Sequence, residues 1–249
     1  MTRHPWIVPD WPVPPSVRAL STTRIGGYSA APYASFNLSD YVGDAPDAVA
    51  KNRAQLPTQA GLPSAPHWLR QVHGTRVLEL DHSAVKTAVP AEADAAVTMQ
   101  RGVVCAVQTA DCLPILFCDA AGTRVAAVHA GWRGLANGVI EAALLRLDTP
   151  AEKIIAWLGP AIGRDTFEVG DDVREAFTRD APTASSCFRE HGPGKWHADL
   201  VQLARLRLQR AGVTQVYGGT WCTFSDAQQF FSYRRDKVTG RMATLIWLE

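Results

Sequence analysis

The chain has 249 residues, of which 47% are hydrophobic and 20% are charged, a composition typical of a folded globular protein rather than a disordered or fibrous one. Its 25 basic and 24 acidic side chains nearly cancel, so no overall positive field favours nucleic acid or an anionic membrane surface. No apolar run approaches the length of a bilayer span, and residues 1–10 lack the basic and apolar regions of a secretory signal. We therefore expect a cytoplasmic protein without nucleic-acid or membrane partners.

The five cysteines are odd in number and show no paired spacing, which argues against a disulfide framework in a chain without an export signal. Each cysteine is expected to be a small buried hydrophobe unless its neighbours indicate a chemical role. Cys112 is the cysteine to consider for a chemical role, because it follows Asp111 at the edge of an apolar run.

An extended segment and then a helix are expected at the N-terminal end of the chain. Five prolines within residues 1–20 favour an extended conformation there. A helix is expected after Asp44, because aspartate is a good N-cap, Pro46 suits the first turn and the following sequence AVAKNRAQL contains no helix breaker. The helix should end before Gly61.

The middle of the chain is rich in predicted strands. Short apolar or β-branched runs predict strands at Val103–Val107, Leu113–Cys118 and Val125–His129, with Asp119–Gly122 as a turn between the last two. Because these runs are apolar without alternation, we expect both faces of the strands to be covered.

Helices and further strands follow. From Leu135 to Leu147 apolar residues recur at near-helical spacing, which predicts one helix, and another is expected between the N-cap candidate Asp199 and Gly212. Further strands are expected at Lys153–Leu158, Val213–Tyr217 and Met242–Leu248. Consecutive strands mixed with helices indicate an α+β protein with mixed sheets, in one or two lobes.

Three short segments place a reactive side chain at the end of an apolar run. QVHG, TADCLP and AVHAGWRG contain His73, Cys112 and His129, respectively. A strand end fixes a side chain while the adjoining loop leaves access to substrate. Two imidazoles and one thiolate suit zinc, and three protein ligands leave a fourth position for water, as in catalytic zinc sites. The three residues are therefore a candidate zinc site, but separations of 39 and 17 residues match no local chelating motif, so spacing alone does not show that they meet.

The same residues support two other interpretations. Cys112 is also placed to be a nucleophile, with His129 as its general base and His73 or Asp111 as the orienting group, since a neighbouring imidazolium lowers the pKa of a thiol. Alternatively, Cys112 is part of the core and both histidines are ordinary polar residues at strand ends. If one histidine is not a ligand, His67 is the expected replacement.

Three arginine-containing segments are candidate anion sites. Arg133 lies in the turn GWRG before a predicted helix, where backbone N–H groups and the helix dipole favour phosphate. Arg234 lies in the aromatic and basic segment FFSYRRD, which is suited to stacking or to phosphate binding. Arg24 precedes the flexible turn IGG. For Arg133 and Arg24 the simpler interpretation is a plain glycine-containing turn, which such segments more often form. For Arg234 it is a strand with one buried and one charged face.

Nine segments resemble, in their order, a known family. They are TTRIGGYS, FNLSDYVGD, QVHGTRV, ADAAVT, TADCLPILF, AVHAGWRG, LGPAIG, FEVG and FFSYRRDKVTGRMA. The chain thus resembles the YfiH family, variously called laccase-domain polyphenol oxidase, purine nucleoside phosphorylase and peptidoglycan editing factor. The resemblance implies a single domain over residues 21–249 with a four-layer α/β/β/α fold and mixed sheets, related to bacterial cysteine-dependent toxin domains.

The resemblance also implies a site and several activities. The zinc ligands of the family match His73, Cys112 and His129. Members of the family are implied to phosphorolyse adenosine, inosine and methylthioadenosine and to deaminate adenosine. Other assignments are removal of a wrong amino acid from a cell-wall precursor and copper-dependent oxidation of phenols.

The residues favour some of these activities over others. A multicopper oxidase needs roughly ten histidines, whereas this chain has seven, so copper is kept only as an alternative metal. Phosphorolysis needs an anion pocket, for which Arg24, Arg133 and Arg234 are the candidates. Together with Asp111 they are the predicted substrate-binding residues. Deamination needs a metal-activated water.

The leading hypothesis is therefore a zinc-dependent purine nucleoside phosphorylase with adenosine deaminase activity, using His73, Cys112 and His129. One alternative is an amidase that edits UDP-MurNAc-L-Ser through Cys112 or an activated water. The others are a copper-dependent polyphenol oxidase and a non-catalytic metal-binding protein.

Overall fold

The computed structural model describes residues 6–83, 90–179 and 181–249. Within these ranges the strands are β1 (Val17–Ser21), β2 (Val77–Glu79), β3 (Ala95–Thr98), β4 (Val104–Thr109), β5 (Leu113–Asp119), β6 (Val125–Ala130), β7 (Ile154–Leu158), β8 (Glu168–Gly170), β9 (Phe188–Gly192), β10 (Lys195–Ala198), β11 (Gln215–Gly218) and β12 (Met242–Leu248). The helices are α1 (Pro46–Ala60), α2 (Trp132–Asn137), α3 (Val139–Leu147), α4 (Asp171–Thr178), α5 (Leu200–Arg210) and α6 (Tyr233–Asp236).

The described strands form three sheets. The largest has six strands in the order β11-β7-β5-β6-β3-β2 and is mixed, because β11 and β7 pair in parallel, as do β2 and β3, while the other pairs are antiparallel. A second sheet, β1-β12-β4, and a third, β8-β10-β9, are antiparallel and three-stranded.

Apolar clusters stack the sheets and helices into four layers. Leu116 of the large sheet and Ile246 of the second sheet belong to the cluster between the two sheets. On the opposite face of the large sheet, Val128 shares a cluster with Leu203 of α5. The outer face of the second sheet packs against Leu56 of α1. The order is α/β/β/α, so the predicted α+β fold with mixed sheets is confirmed, and the central strands are covered on both faces as expected.

Helix α1 begins differently from the prediction. It ends at Gly61 as expected, but its N-cap is Ala45, which makes no side-chain cap. Asp44 was therefore wrongly predicted to cap it. The Asp44 carboxylate instead accepts hydrogen bonds from Ser29 Oγ at 2.6 Å and Asn37 Nδ2 at 2.9 Å. This tertiary arrangement outweighs the local capping preference.

The helix predicted from Leu135 to Leu147 is broken in two. Its apolar stripe is buried as expected, but Gly138 adopts a φ of 99° between α2 and α3. A left-handed residue ends a helix, and glycine adopts that conformation without a steric penalty. A single helix was therefore the wrong prediction. None of the described helices combines the length and apolarity needed to cross a bilayer.

The N-terminal segment is partly a strand. Strand β1 begins at Val17, inside the segment predicted to be extended, and Ile7 forms a bridge with Ser21. The boundary placed between residues 20 and 21 thus falls within β1, and it stays a prediction. The short strands β2, β3 and β8 to β10 were not predicted, since short runs give little periodicity.

Candidate functional site

His73, Cys112 and His129 lie together near the end of two paired strands. Cys112 directly precedes β5, and His129 lies in β6 opposite Pro114. His73 lies in the loop before β2. The metal-binding atoms of the three side chains all lie within 4.8 Å of one another. Sγ of Cys112 is 3.7 Å from Nε2 of His73, and the two imidazole rings are 4.8 Å apart at their centroids. The three residues form a candidate metal site.

Asp94 fixes the orientation of His129. This aspartate, fully buried directly before β3, lies with Oδ1 at 2.8 Å from Nδ1 of His129. Burial opposes ionisation of Asp94, but the hydrogen bond and charge of His129, together with backbone N–H groups, lower its pKa. An ionised carboxylate only accepts hydrogen bonds, so Nδ1 carries the hydrogen and Nε2 is directed to the site. Metal-binding histidines are commonly held in this way.

The same carboxylate also fixes the loop that contains His73. The backbone N–H groups of Val72, His73 and Gly74 donate to Asp94 at 3.2, 2.9 and 2.7 Å. His73 adopts a left-handed φ of 60°, an uncommon conformation for residues other than glycine. Three consecutive N–H groups around one buried carboxylate stabilise the strained loop and thereby position the His73 ring.

Gly131 leaves room for the site. A Cβ atom at this position would lie 2.7 Å from Cδ2 of His73 and 3.1 Å from Sγ of Cys112. Such distances are shorter than van der Waals contact, so a larger residue would displace one of these side chains. The glycine after β6 is therefore a packing requirement of the site.

Cys112 and His129 shift each other's protonation. Burial favours the neutral thiol, but the charge of His129 and hydrogen bonds from His129 and His73 outweigh it and lower the pKa of Cys112 to about 6. Burial likewise favours neutral His129, but the Cys112 thiolate and Asp94 raise the pKa of His129 to about 9. The pair is thus a thiolate beside an imidazolium at neutral pH, which suits a nucleophile. Binding of a metal would release the imidazolium proton.

The donor set fits a zinc ion. Two imidazole nitrogens and a thiolate are zinc ligands, and Asp94 holds His129 with Nε2 available. Across the three described ranges of the chain, this is the one group of three or more His, Cys, Asp or Glu side chains with metal-ligand spacing. The several copper sites of a multicopper oxidase are therefore not found among the described residues.

A cavity of about 350 Å³ opens onto the three residues. It is also lined by Tyr41 and Tyr233, by the amides of Gln71 and Gln108, and by Arg241. The two tyrosine side chains are about half exposed, at 53% and 55%. The cavity has the size of a small-molecule site, with two aromatic faces and mostly polar lining side chains.

Arg241 is the arginine that lines this cavity. Its Nη1 donates to the carbonyl oxygens of Thr239 and Gly240 at 3.0 Å each, and its backbone N–H donates to Asn37 at 2.9 Å. No carboxylate among the described residues forms an ion pair with it. A fixed guanidinium without an acidic partner can bind an anion. The sequence interpretation missed Arg241, although TGRMA is part of the last resembling segment.

The arginines predicted to bind substrate lie elsewhere. Arg24 donates to two backbone carbonyl oxygens, at 2.9 and 3.1 Å, and Nη1 of Arg234 donates to the carbonyl of Glu168 at 2.7 Å. Arg133 is exposed and lies 4.3 Å from the ring centroid of Trp132. None of the three lines the cavity. Their binding of substrate stays a prediction.

Asp111 joins the loops around Cys112. It adopts a φ of 92°, and its carboxylate accepts hydrogen bonds from Thr223 Oγ1 at 2.7 Å and from the backbone N–H of Arg234 at 2.6 Å. Both carboxylate oxygens are thus engaged by the protein, and Asp111 does not line the cavity. Substrate binding by Asp111 also stays a prediction. His67, considered as a replacement ligand, forms a bridge with Cys105 and is not part of the metal-ligand group.

The sequence of the chain matches a known family and named bacterial proteins over nearly its whole length. The profile of a family described as multi-copper polyphenol oxidoreductase laccase matches residues 18–249. A purine nucleoside phosphorylase YfiH of Escherichia coli is 54% identical over 97% of this chain and 98% of its own length. A purine nucleoside phosphorylase of Pseudomonas aeruginosa is 52% identical over 98% of both chains.

Solved structures show the same likeness. The crystal structure of a Neisseria meningitidis protein assigned to the family DUF152 superposes with a TM-score of 0.93 at 51% identity, over 98% of this chain and 99% of that one. The names of the relatives indicate an enzyme that acts on a small molecule. From the family profile, these relatives and this structure, the chain belongs to the laccase-like YfiH family.

Proposed function

We propose that the chain is a zinc-dependent purine nucleoside phosphorylase acting on adenosine, inosine and methylthioadenosine, with adenosine deaminase activity, in the cytoplasm. The observation that carries the proposal is the candidate metal site in a nucleoside-sized cavity, which is also lined by Arg241, a guanidinium without an ion-pair partner among the described residues. The names of the relatives support the reaction class.

His73, Cys112 and His129 would hold the zinc ion, which supplies Lewis acidity and acidifies a water when bound. Arg241 binds the phosphate, because its guanidinium lines the cavity and has no acidic partner among the described residues. Tyr41 and Tyr233 contact the nucleoside, since their rings are half exposed in the same cavity.

The reaction assigned to this arrangement is a substitution at the ribose. A phosphate oxygen forms a bond to C1′ while the bond between C1′ and the purine nitrogen breaks. The electron pair of that bond remains on the purine, which takes up a proton, and ribose 1-phosphate is the other product. Arg241 offsets the phosphate charge and orients the attacking oxygen, which are the contributions expected of a preorganised site.

The test is product analysis with purified, zinc-loaded protein. Adenine and ribose 1-phosphate are expected from adenosine only when phosphate is present, and inosine is the expected deamination product. Cys112→Ser should abolish both reactions, whereas Cys222→Ser, at another partly exposed cysteine, should preserve them. Protein that leaves adenosine, inosine and methylthioadenosine unchanged with phosphate present would refute the proposal.

A second candidate is an amidase that edits a peptidoglycan precursor. The low pKa of Cys112 beside His129 favours it, because a thiolate paired with an imidazolium is the arrangement of a cysteine nucleophile. Incubation with UDP-MurNAc-L-Ser should then release serine, and its retention counts against the amidase. Zinc binding without turnover in either assay would leave a non-catalytic metal-binding protein.

A further inference from the structure

A second cavity adjoins the one at the candidate metal site. Its volume is about 490 Å³, and Tyr41 and Gln71 line both cavities, so the two lie side by side. The first cavity alone lies within the size range of small-ligand sites. The second therefore provides space that an unsubstituted nucleoside does not require.

Part of the lining of the second cavity is apolar. This part, called the floor, includes Trp68, which is partly buried, and Leu69, which is 3% exposed. The guanidinium of Arg53 lies 4.7 Å from the ring centroid of Trp68, and its Nε donates to the carbonyl of Leu38 at 2.8 Å. These contacts hold the indole ring in place.

The cations of this cavity are matched by carboxylates. Arg53 forms an ion pair with Asp40 at 3.0 Å, and Arg70 lies 3.7 Å from Glu92. Because each guanidinium already faces an acidic group, the cavity offers little net attraction to an anion. It therefore differs from the first cavity, where Arg241 has no acidic partner among the described residues.

The wall between the cavities is fixed. Nε2 of Gln71 donates to the carbonyl of Gln108 at 2.8 Å, and Oε1 accepts from the Gln108 N–H at 2.7 Å. The carbonyl of Leu38, in the loop that precedes Tyr41, accepts a further hydrogen bond from Gln108 Nε2 at 2.7 Å. A preformed apolar space binds a ligand without a large ordering cost.

We propose that the second cavity binds an uncharged apolar substituent carried by the nucleoside, stacked on Trp68. The proposal rests on the proposed function, because it assigns the substrate class of the same site. The substituent reaches the cavity either from the 5′ position of the ribose or from the base. In both cases the recognising chemistry is burial of apolar area against Trp68 and Tyr41.

The experiment compares kcat/KM of the zinc-loaded protein for adenosine, 5′-benzylthio-5′-deoxyadenosine and N6-benzyladenosine, with phosphate. One benzyl substrate is expected to exceed adenosine by about tenfold, the effect of burying such a ring. Which of the two is favoured identifies the position that carries the substituent.

Two variants test whether the substituent binds in the second cavity. Trp68→Ala removes the floor, and Arg70→Trp fills the cavity from a side chain that is 68% exposed. Each variant should abolish the higher kcat/KM of the benzyl substrate relative to adenosine. Arg146→Trp, on the exposed surface of α3, is the matched control and should preserve it. If Trp68→Ala does not fold, Arg70→Trp decides the location.

Turnover of adenosine with no gain for either benzyl substrate would overturn this inference and leave the proposed function intact. A gain that persists in Arg70→Trp would also overturn it. If adenosine itself is not converted, both the proposed function and the inference fail.

Discussion

The carboxylate of Asp94 lies 2.8 Å from Nδ1 of His129 and also accepts the backbone N–H groups of residues 72–74. One buried side chain thus positions two of the three candidate metal ligands. His73 and His129 are far apart in the chain, and their approach depends on this aspartate.

Asp94→Asn is expected to lower zinc affinity about 10- to 100-fold, as for other residues that orient a metal ligand. The reason is loss of the negative charge that holds the His129 tautomer and the His73 loop. Chelator competition measures the affinity. The matched control is Asp119→Asn, since Asp119 is also buried and accepts backbone N–H groups but lies at the opposite end of β5. Equal affinity in the two variants would contradict the role of Asp94.

Gly131→Ala is expected to weaken zinc binding, because its Cβ would lie 2.7 Å from the His73 ring. Gly74→Ala is the control. A Cβ at Gly74 would meet Asp94 at 3.5 Å, an ordinary contact, and the backbone N–H is retained. Zinc titration of both variants measures the difference. Normal affinity in Gly131→Ala would show that the site accommodates the methyl group.

Much of this fold was predictable from local sequence. Continuous apolar runs predicted β5 and β6 to within a residue or two. The position of Cys112 and His129 at the ends of these runs made them candidate site residues. Their approach to His73 was not derivable from spacing, because it depends on the pairing of β5 with β6 and on the loop held by Asp94. The resemblance to a family supplied that part of the site.

The missed residues are those whose importance depends on tertiary partners. Asp94 precedes an apolar run as a turn residue would, and only the fold brings it to His129. Arg241 differs from the other arginines because it lines the cavity without an acidic partner among the described residues, which local sequence cannot show. The guanidinium groups of Arg24 and Arg234 instead donate hydrogen bonds to backbone carbonyl oxygens. Local sequence does not show these contacts either.

In metal-free protein, Cys112 is expected to react with iodoacetamide near neutral pH. The thiolate is the reactive form, and a pKa of about 6 means that the reactive fraction rises as pH rises through 6. Peptide mapping by mass spectrometry at several pH values measures the midpoint. His129→Gln should move it upward, because the neighbouring cation is lost. Buried Cys105 is the internal control, since burial raises its pKa. A midpoint near the ordinary cysteine value of about 8.5 would contradict the pairing.

Arg241→Gln is expected to raise KM for phosphate about tenfold, because a charge-assisted contact to the anion is lost. Arg241→Lys should restore part of the affinity, since it keeps the charge but not the planar fork. Arg210→Gln, on the exposed surface of α5, is the control. Steady-state kinetics at varied phosphate supply the measurement. An unchanged KM for phosphate in Arg241→Gln would show that Arg241 does not bind the phosphate.

The central claim is that His73, Cys112 and His129 hold one metal ion. Elemental analysis of purified wild-type protein and of the single variants His73→Ala, Cys112→Ala and His129→Ala tests it most directly. About one zinc per chain is expected in the wild type, and much less in each variant, because a three-ligand site loses most of its affinity with any one ligand. Unchanged zinc in Cys112→Ala, with activity abolished, would contradict the claim and establish Cys112 as a nucleophile instead.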